Sequence, residues 1–88
     1  MAYGVYVAPS ARRQLRRLPR AAQGRILDTI EALGIYPRPR GAVKLEASLH
    51  LYRVRVGDYR IIYRISDSDS SVLVLKIGHR GDVYKGWA

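Results

Sequence analysis

The stretch LYRVRVGDYRIIYRI, residues 51–65, decides how this chain folds. Apolar and cationic residues alternate on both sides of Gly57-Asp58, and alternation with period two marks a half-buried strand. A two-residue loop beginning with glycine fits a tight hairpin turn. The stretch therefore reads as two antiparallel strands, residues 51–56 and 59–65. With Gly57 and Asp58 as the loop, Val56 faces Tyr59, Arg55 faces Arg60, Val54 faces Ile61, and Arg53 faces Ile62. One face then carries Tyr52, Val54, Val56, Tyr59, Ile61 and Tyr63, an apolar and aromatic set suited to packing. The other carries Arg53, Arg55, Arg60, Ile62 and Arg64, and is too basic to be buried in so small a core. Like charges directly opposite one another weaken a sheet by up to about 1 kcal/mol per pair. An adjacent phosphate would turn that repulsion into charge-assisted hydrogen bonding. The alternative is a solvated face on which long cations splay into water.

Working outward, SDSDSS (66–71) reads as a loop and VLVLKI (72–77) as a central or well-covered strand. Upstream, residues 5–8 form a first strand. In PSARRQLRRLP, Pro9 suits a first helical turn or Ser10 caps it. Ala11, Leu15 and Leu18 recur at helical spacing until Pro19 ends the helix. A second helix over about residues 20–33 has Ala22, Ile26, Ile30 and Leu33 as its stripe, with Gly34 as C-cap. YPRPRG (36–41) is a loop, and AVKLEASLH (42–50) holds either a short strand or a turn. The fold class is α+β: an N-terminal strand, a helical hairpin, then a three-stranded antiparallel meander (β-α-α-β-β-β) with the helices covering one face.

Eighty-eight residues suffice for one domain, residues 1–88. With no cysteine, disulfides, thiol nucleophiles and zinc–thiolate sites are excluded, which fits a reducing cytosol. No apolar run approaches the ~20 residues of a membrane span, and the N-terminus lacks a signal peptide's apolar core, so a cytoplasmic location without membrane contact is expected. Sixteen Lys and Arg against seven Asp and Glu give a net charge of +9. Thirteen of the sixteen are arginine, whose planar fork pairs with phosphate, so nucleic acid or an acidic protein is the expected partner. The tail places His79, Arg80, Asp82 and Tyr84 within six residues. Imidazole, guanidinium and phenol together supply proton transfer and phosphate stabilisation.

VKLEASLHLYRVRVGDYRIIYRI, followed by VLVLKIGHRGDVYK, resembles the RelE/ParE superfamily of toxin–antitoxin toxins, and particularly its RelE-like mRNA interferases. SARRQLRRLP and the P-x-P after the second helix also match, so the resemblance spans nearly the whole chain. It implies a compact RelE-like fold and a ribosome-dependent endoribonuclease that cuts mRNA in the A site without a metal or cofactor. In that chemistry the 2′-hydroxyl attacks the adjacent phosphorus, leaving a 2′,3′-cyclic phosphate and a free 5′-hydroxyl. Carried over residue by residue, the resemblance gives Arg53 and Arg55 to RNA binding, and Arg64, on the same basic face, is grouped with them. It assigns Arg60 and Arg80 to phosphate stabilisation, and Tyr84 to base stacking or proton transfer. The family's best-known pattern has lysines where this chain has Arg53 and Arg55. Arginine is a poor general base, which leaves His79 as the natural substitute and Glu46 as a weaker one. Arg12, Arg13, Arg16, Arg17 and Arg20 are candidate ribosome contacts, or a solvated helix face. The implied partners are a RelB-like antitoxin in a heterotetramer, the ribosome with its mRNA, and operator DNA through the antitoxin. A ParE-like gyrase inhibitor and an inactive homologue are the competing functions.

Overall fold

The hairpin forms in the predicted register, with Val56 opposite Tyr59, Arg55 opposite Arg60, Val54 opposite Ile61 and Arg53 opposite Ile62. Gly57 turns the chain at φ 59°, a left-handed conformation that glycine adopts without steric penalty. The computed structural model describes residues 2–45 and 50–83. In chain order it contains β1 (Gly4–Val7), α1 (Pro9–Arg16), α2 (Arg20–Leu33), β2 (Val43–Lys44), β3 (Leu51–Val56), β4 (Tyr59–Ser66) and β5 (Ser71–His79). The strands form one mixed sheet in the order β1-β5-β4-β3-β2. Only β1 is parallel to its neighbour, pairing Val5 with Val72 and Val7 with Val74. The segment between loop and hairpin resolves as a strand: β2 pairs antiparallel with β3, Val43 opposite Arg53.

Of the two starts open to α1, the structure takes the one with Pro9 in the first turn, where its missing N–H costs nothing; Ala8 holds the N-cap position, without a side-chain cap, and Ser10 does not. Gly34 does follow α2, but with φ −69° rather than in the left-handed region. Glycine is needed there for closeness instead. A Cβ would stand 2.9 Å from Val5 Cγ2 and 3.1 Å from the Tyr3 carbonyl, so the end of α2 lies directly on β1. Tyr3 N–H donates to the Gly34 carbonyl at 2.6 Å.

The helices bury Ala11 and Leu15 from α1 and Ile26, Ile30 and Leu33 from α2 against Val54, Val56, Ile61, Tyr63, Ile65, Val72, Val74 and Ile77. Each fully buried aliphatic side chain contributes about 1.5–3 kcal/mol. The spacing from Val74 to Ile77 breaks strand alternation, and a bulge explains it. Ile62 pairs with Lys76 and Tyr63 with Val74, so Leu75 is left over. Only one face of β5 is sealed, since Leu73 and Leu75 remain half-exposed. β1 ends at Val7, and beyond it β5 has no strand neighbour on that side among the described residues. Gln14 of α1 supplies the missing acceptor, its Oε1 receiving Ile77 N–H at 2.8 Å, which satisfies an edge group that would otherwise invite pairing.

Tyr63 lies in the core with its hydroxyl donating to the Pro37 carbonyl at 2.7 Å, and burial pushes its pKa up to about 12. Nearby, Arg38 grips Asp67 with Nη1 at 3.2 Å and Nη2 at 2.8 Å, and its Nε donates to Tyr52 Oη at 3.0 Å. Tyr3 Oη donates to the same carboxylate at 2.7 Å. These bonds clasp the proline-rich loop to β3 and to the β4–β5 loop. Hydrogen bonds from Arg38, then Tyr3, hold Asp67 below the usual carboxylate range. No helix among the described residues is long and apolar enough to cross a membrane.

Candidate functional site

With helices on one side of the sheet, the opposite side is open, and strand alternation sorts its residues into rows. Nearest the Gly57 turn lie Arg55, Arg60 and Gly78. Next come Arg53, Ile62 and Lys76. At the far end stand Leu51, Arg64, Leu73 and, across on β1, Tyr6. The predicted basic face is therefore real, but its burial differs from expectation. Arg55 and Arg64 are exposed and Arg53 is half-buried, whereas Ile62 is fully buried and Arg60 is only 6% exposed.

Arg60 withdraws because it curls onto its own turn. Nη1 donates to the Gly57 carbonyl at 3.2 Å and to the Tyr59 carbonyl at 3.0 Å. Two neutral carbonyls satisfy hydrogen bonds without cancelling the charge. Among the described residues, none of Arg53, Arg55, Arg60, Arg64 and Arg80 forms an ion pair, whereas Arg38 and Asp67 do, in the clasp described above. A buried cation lacking a counter-charge is strongly disfavoured. An arriving phosphate would supply that charge with charge-assisted bonds.

The tail is pinned to this end of the sheet. Arg80 N–H donates to the Asp58 carbonyl at 2.8 Å, and the N–H groups of Asp82 and Val83 both donate to the His79 carbonyl. Val83 is buried against Gly78, its Cα 3.5 Å from where a Cβ on Gly78 would sit. Gly78 shares the row of Arg60, so the tail folds onto the open face and brings exposed Arg80 beside the hairpin turn. Tyr84 and Glu46 lie outside the described residues.

His79 goes elsewhere. It pairs with Tyr59, whose ring packs on the helix-side core, and the two rings meet edge to face with centroids 6.0 Å apart. Opposed residues share a face, so His79 is on the helix side of the sheet while Arg60 is on the open side. Its neighbours there include Arg17, Gln14 and Leu18 of the α1 end, around a concavity of about 380 Å³. Arg12, Arg13, Arg16, Arg17 and Arg20 are all exposed on the helical side. Arg13 and Arg16 also occupy the last turn of α1, where cations complement the helix dipole.

One cation escaped the sequence reading. The guanidinium of Arg25, on α2, lies 3.2 Å from where a Cβ on Gly57 would stand. Helical periodicity marks Arg25 only as a polar neighbour of Ile26, and nothing local announces that its tip reaches the hairpin turn. Arg25, Arg60 and Arg80 thus approach one two-residue turn from three different elements.

The family model described as the ParE toxin of a type II toxin–antitoxin system, parDE, matches residues 5–84. The toxin RelG of Mycobacterium tuberculosis is 31% identical over an alignment spanning 97% of this chain and 99% of that protein. Among solved structures, the archaeal RelE–RelB complex from Pyrococcus horikoshii contains a chain 35% identical, with a TM-score of 0.82, covering 94% of this chain and 100% of that one. The RelBE2 toxin–antitoxin complex of Mycobacterium tuberculosis gives 29% identity and a TM-score of 0.80, covering 91% and 100%.

Proposed function

The chain belongs to the RelE/ParE superfamily of type II toxin–antitoxin toxins, and from that premise we propose that it is a ribosome-dependent endoribonuclease that cuts mRNA in the A site. The observation that carries this reading is the buried Arg60, which has no counter-ion among the described residues, flanked by Arg55 and Arg80 on a face that the helices leave open. The cleaved phosphate docks against Arg60 and Arg80. The substrate's 2′-hydroxyl oxygen bonds to phosphorus as its proton leaves to a base. The bond from phosphorus to the 5′-oxygen breaks, and that oxygen takes up a proton. The products are a 2′,3′-cyclic phosphate and a 5′-hydroxyl. Positioned cations stabilise the extra negative charge on phosphorane oxygens, an effect worth about 10²–10³ in rate per donor. Arg53, Arg55 and Arg64 hold the strand on either side, and Tyr84 stacks on a base or assists proton transfer. His79 faces the helix side, so its part is to brace the tail through Tyr59 rather than to take the 2′-proton from its present position. The exposed arginines of α1 and the start of α2 contact ribosomal RNA phosphates. A RelB-like antitoxin with an acidic or amphipathic segment neutralises the toxin by covering the basic face or displacing the tail.

The ParE description of the family match supports a second reading, a binder that poisons DNA gyrase without hydrolysis. Primer extension separates the two readings, using mRNA incubated with purified protein with and without programmed ribosomes. Cuts confined to A-site codons on ribosomes support the nuclease. Folded protein that cuts neither sample, but provokes gyrase-dependent DNA cleavage, supports the binder. Arg80→Ala is expected to abolish growth inhibition while leaving folding and antitoxin binding intact, and wild-type toxicity in that variant would remove Arg80 from the mechanism.

A further inference from the structure

The open face does not end with its arginines. At the β1 edge, Tyr6 is 61% exposed, although it stands in a strand beside the apolar Leu73. Its ring folds back along β1 over Gly4: a Cβ on Gly4 would stand 3.1 Å from the Tyr6 hydroxyl oxygen and 3.2 Å from Cε2. Gly4 has no positive φ to explain it. Its missing side chain instead leaves room for the tip of the ring beside bare backbone, while the residue stays largely exposed. That ring, with Leu73, Arg64, Ser66, Ser71 and His50, lines a shallow concavity of about 630 Å³. Arg64 stands on the same face of the sheet as Arg60, four residues along β4.

We infer that Tyr6, laid over Gly4, is a stacking platform for an unpaired nucleobase, with Arg64 taking the neighbouring phosphate. The subsite deepens the RNA-cleaving reading and rests on it. From Arg60 the platform is four residues along and two strands across, roughly 16 Å at ordinary strand spacings, which a single strand crosses in a few nucleotides. The occupant is argued from charge and continuity. The concavity extends the face formed by Arg53, Arg55 and Arg60, so a strand bound there by its phosphates runs on toward Tyr6. Two carboxylates stand at the rim, and neither bars a base. Asp67 is engaged by Arg38 and Tyr3, and Asp69 accepts from Ser66 Oγ at 3.0 Å. Their charge turns phosphate away from the loop and toward Arg64, leaving the ring face for the base. Stacking is sequence-tolerant because every base has a π-face.

The test is fluorescence anisotropy with a short 2′-O-methylated oligoribonucleotide, which lacks the attacking hydroxyl and so stays whole. Wild-type protein is compared with Tyr6→Ala, Tyr6→Phe and Gly4→Ala. Tyr6→Ala should weaken binding about 5- to 150-fold, the range for losing one stacked base. Tyr6→Phe should bind within about twofold of wild type, because the ring remains. Gly4→Ala, which makes the ring tip give way slightly, should bind no better than wild type and no worse than Tyr6→Ala, and all variants should melt within a few degrees of wild type. Equal RNA affinity for Tyr6→Ala and wild type overturns the subsite, as does a wild type that binds no RNA. Loss of antitoxin affinity with unchanged RNA affinity also overturns it and makes Tyr6 a protein contact. Ribosomal cleavage by the wild type is scored separately: cutting that is indifferent to Tyr6→Ala removes the subsite alone, whereas Tyr6-dependent RNA binding without cutting removes the nuclease reading alone.

Discussion

Arg38 and Arg60 sit at opposite ends of the same sheet and meet opposite electrostatic fates. Arg38 is substantially exposed, yet its guanidinium is engaged by both oxygens of Asp67 and by Tyr52 Oη, and it lies 5.2 Å from the centre of the Tyr52 ring. Arg60 is buried, yet it meets two backbone carbonyls and faces another cation, Arg55. A structural clasp completes its charge pairs within the chain, as at Arg38. On the function proposed above, Arg60 instead leaves its counter-charge to the ligand. The difference shows that an arginine's role follows from what completes its charge, and exposure alone would have ranked these two the wrong way round.

The sharpest way to break this comparison is Arg60→Met, which keeps much of the volume and removes the charge. Ribosomal cleavage should fall about 10²–10³-fold, while the melting temperature holds or rises, because a buried cation with no ion pair among the described residues is removed. A cold variant with wild-type cleavage would undo the assignment. Next in size is Tyr63→Phe, which strips the hydrogen bond to the Pro37 carbonyl. It should destabilise the chain by about 1 kcal/mol in denaturant titration without changing cleavage once folded. Arg38→Ala should lower the melting temperature by only a few degrees, since exposed pairs are weak and screened, and should again leave cleavage unchanged.

The smallest effect is a pH dependence. Asp67 has its pKa lowered in the folded chain, first by Arg38 and then by Tyr3. Its contribution to stability is therefore complete above the unfolded carboxylate value of 3.8 and is lost as pH falls through the lower folded value. Acid titration followed by circular dichroism should show this component in the wild type, and Arg38→Ala should largely remove it. Persistence of the full component in that variant would place its source elsewhere.

Much of this architecture was legible in residues 51–65, because β-hairpins are local. The glycine turn and the alternation around it set the register, and the register alone puts Arg55 opposite Arg60. The helical stripes were legible for the same reason, with Ala11, Leu15, Ile26, Ile30 and Leu33 all buried as their spacing requires. The apolar run at 72–77 was harder. Its bulge at Leu75 depends on how β4 and β5 slide past each other, and no pattern within six residues records that.

What the sequence by itself determined is therefore periodic: which residues share a face, where the chain reverses, and that one face of the hairpin is cationic. These follow from strand and helix geometry within a few residues of each position. Tertiary structure alone decided which of those cations is buried, that His79 lies across the sheet from Arg60, that Arg25 reaches the hairpin turn, and that the tip of the Tyr6 ring comes to rest against Gly4. Each of these depends on a neighbour supplied by a distant segment or on the path of a side chain after packing. Period and propensity carry no information about such contacts.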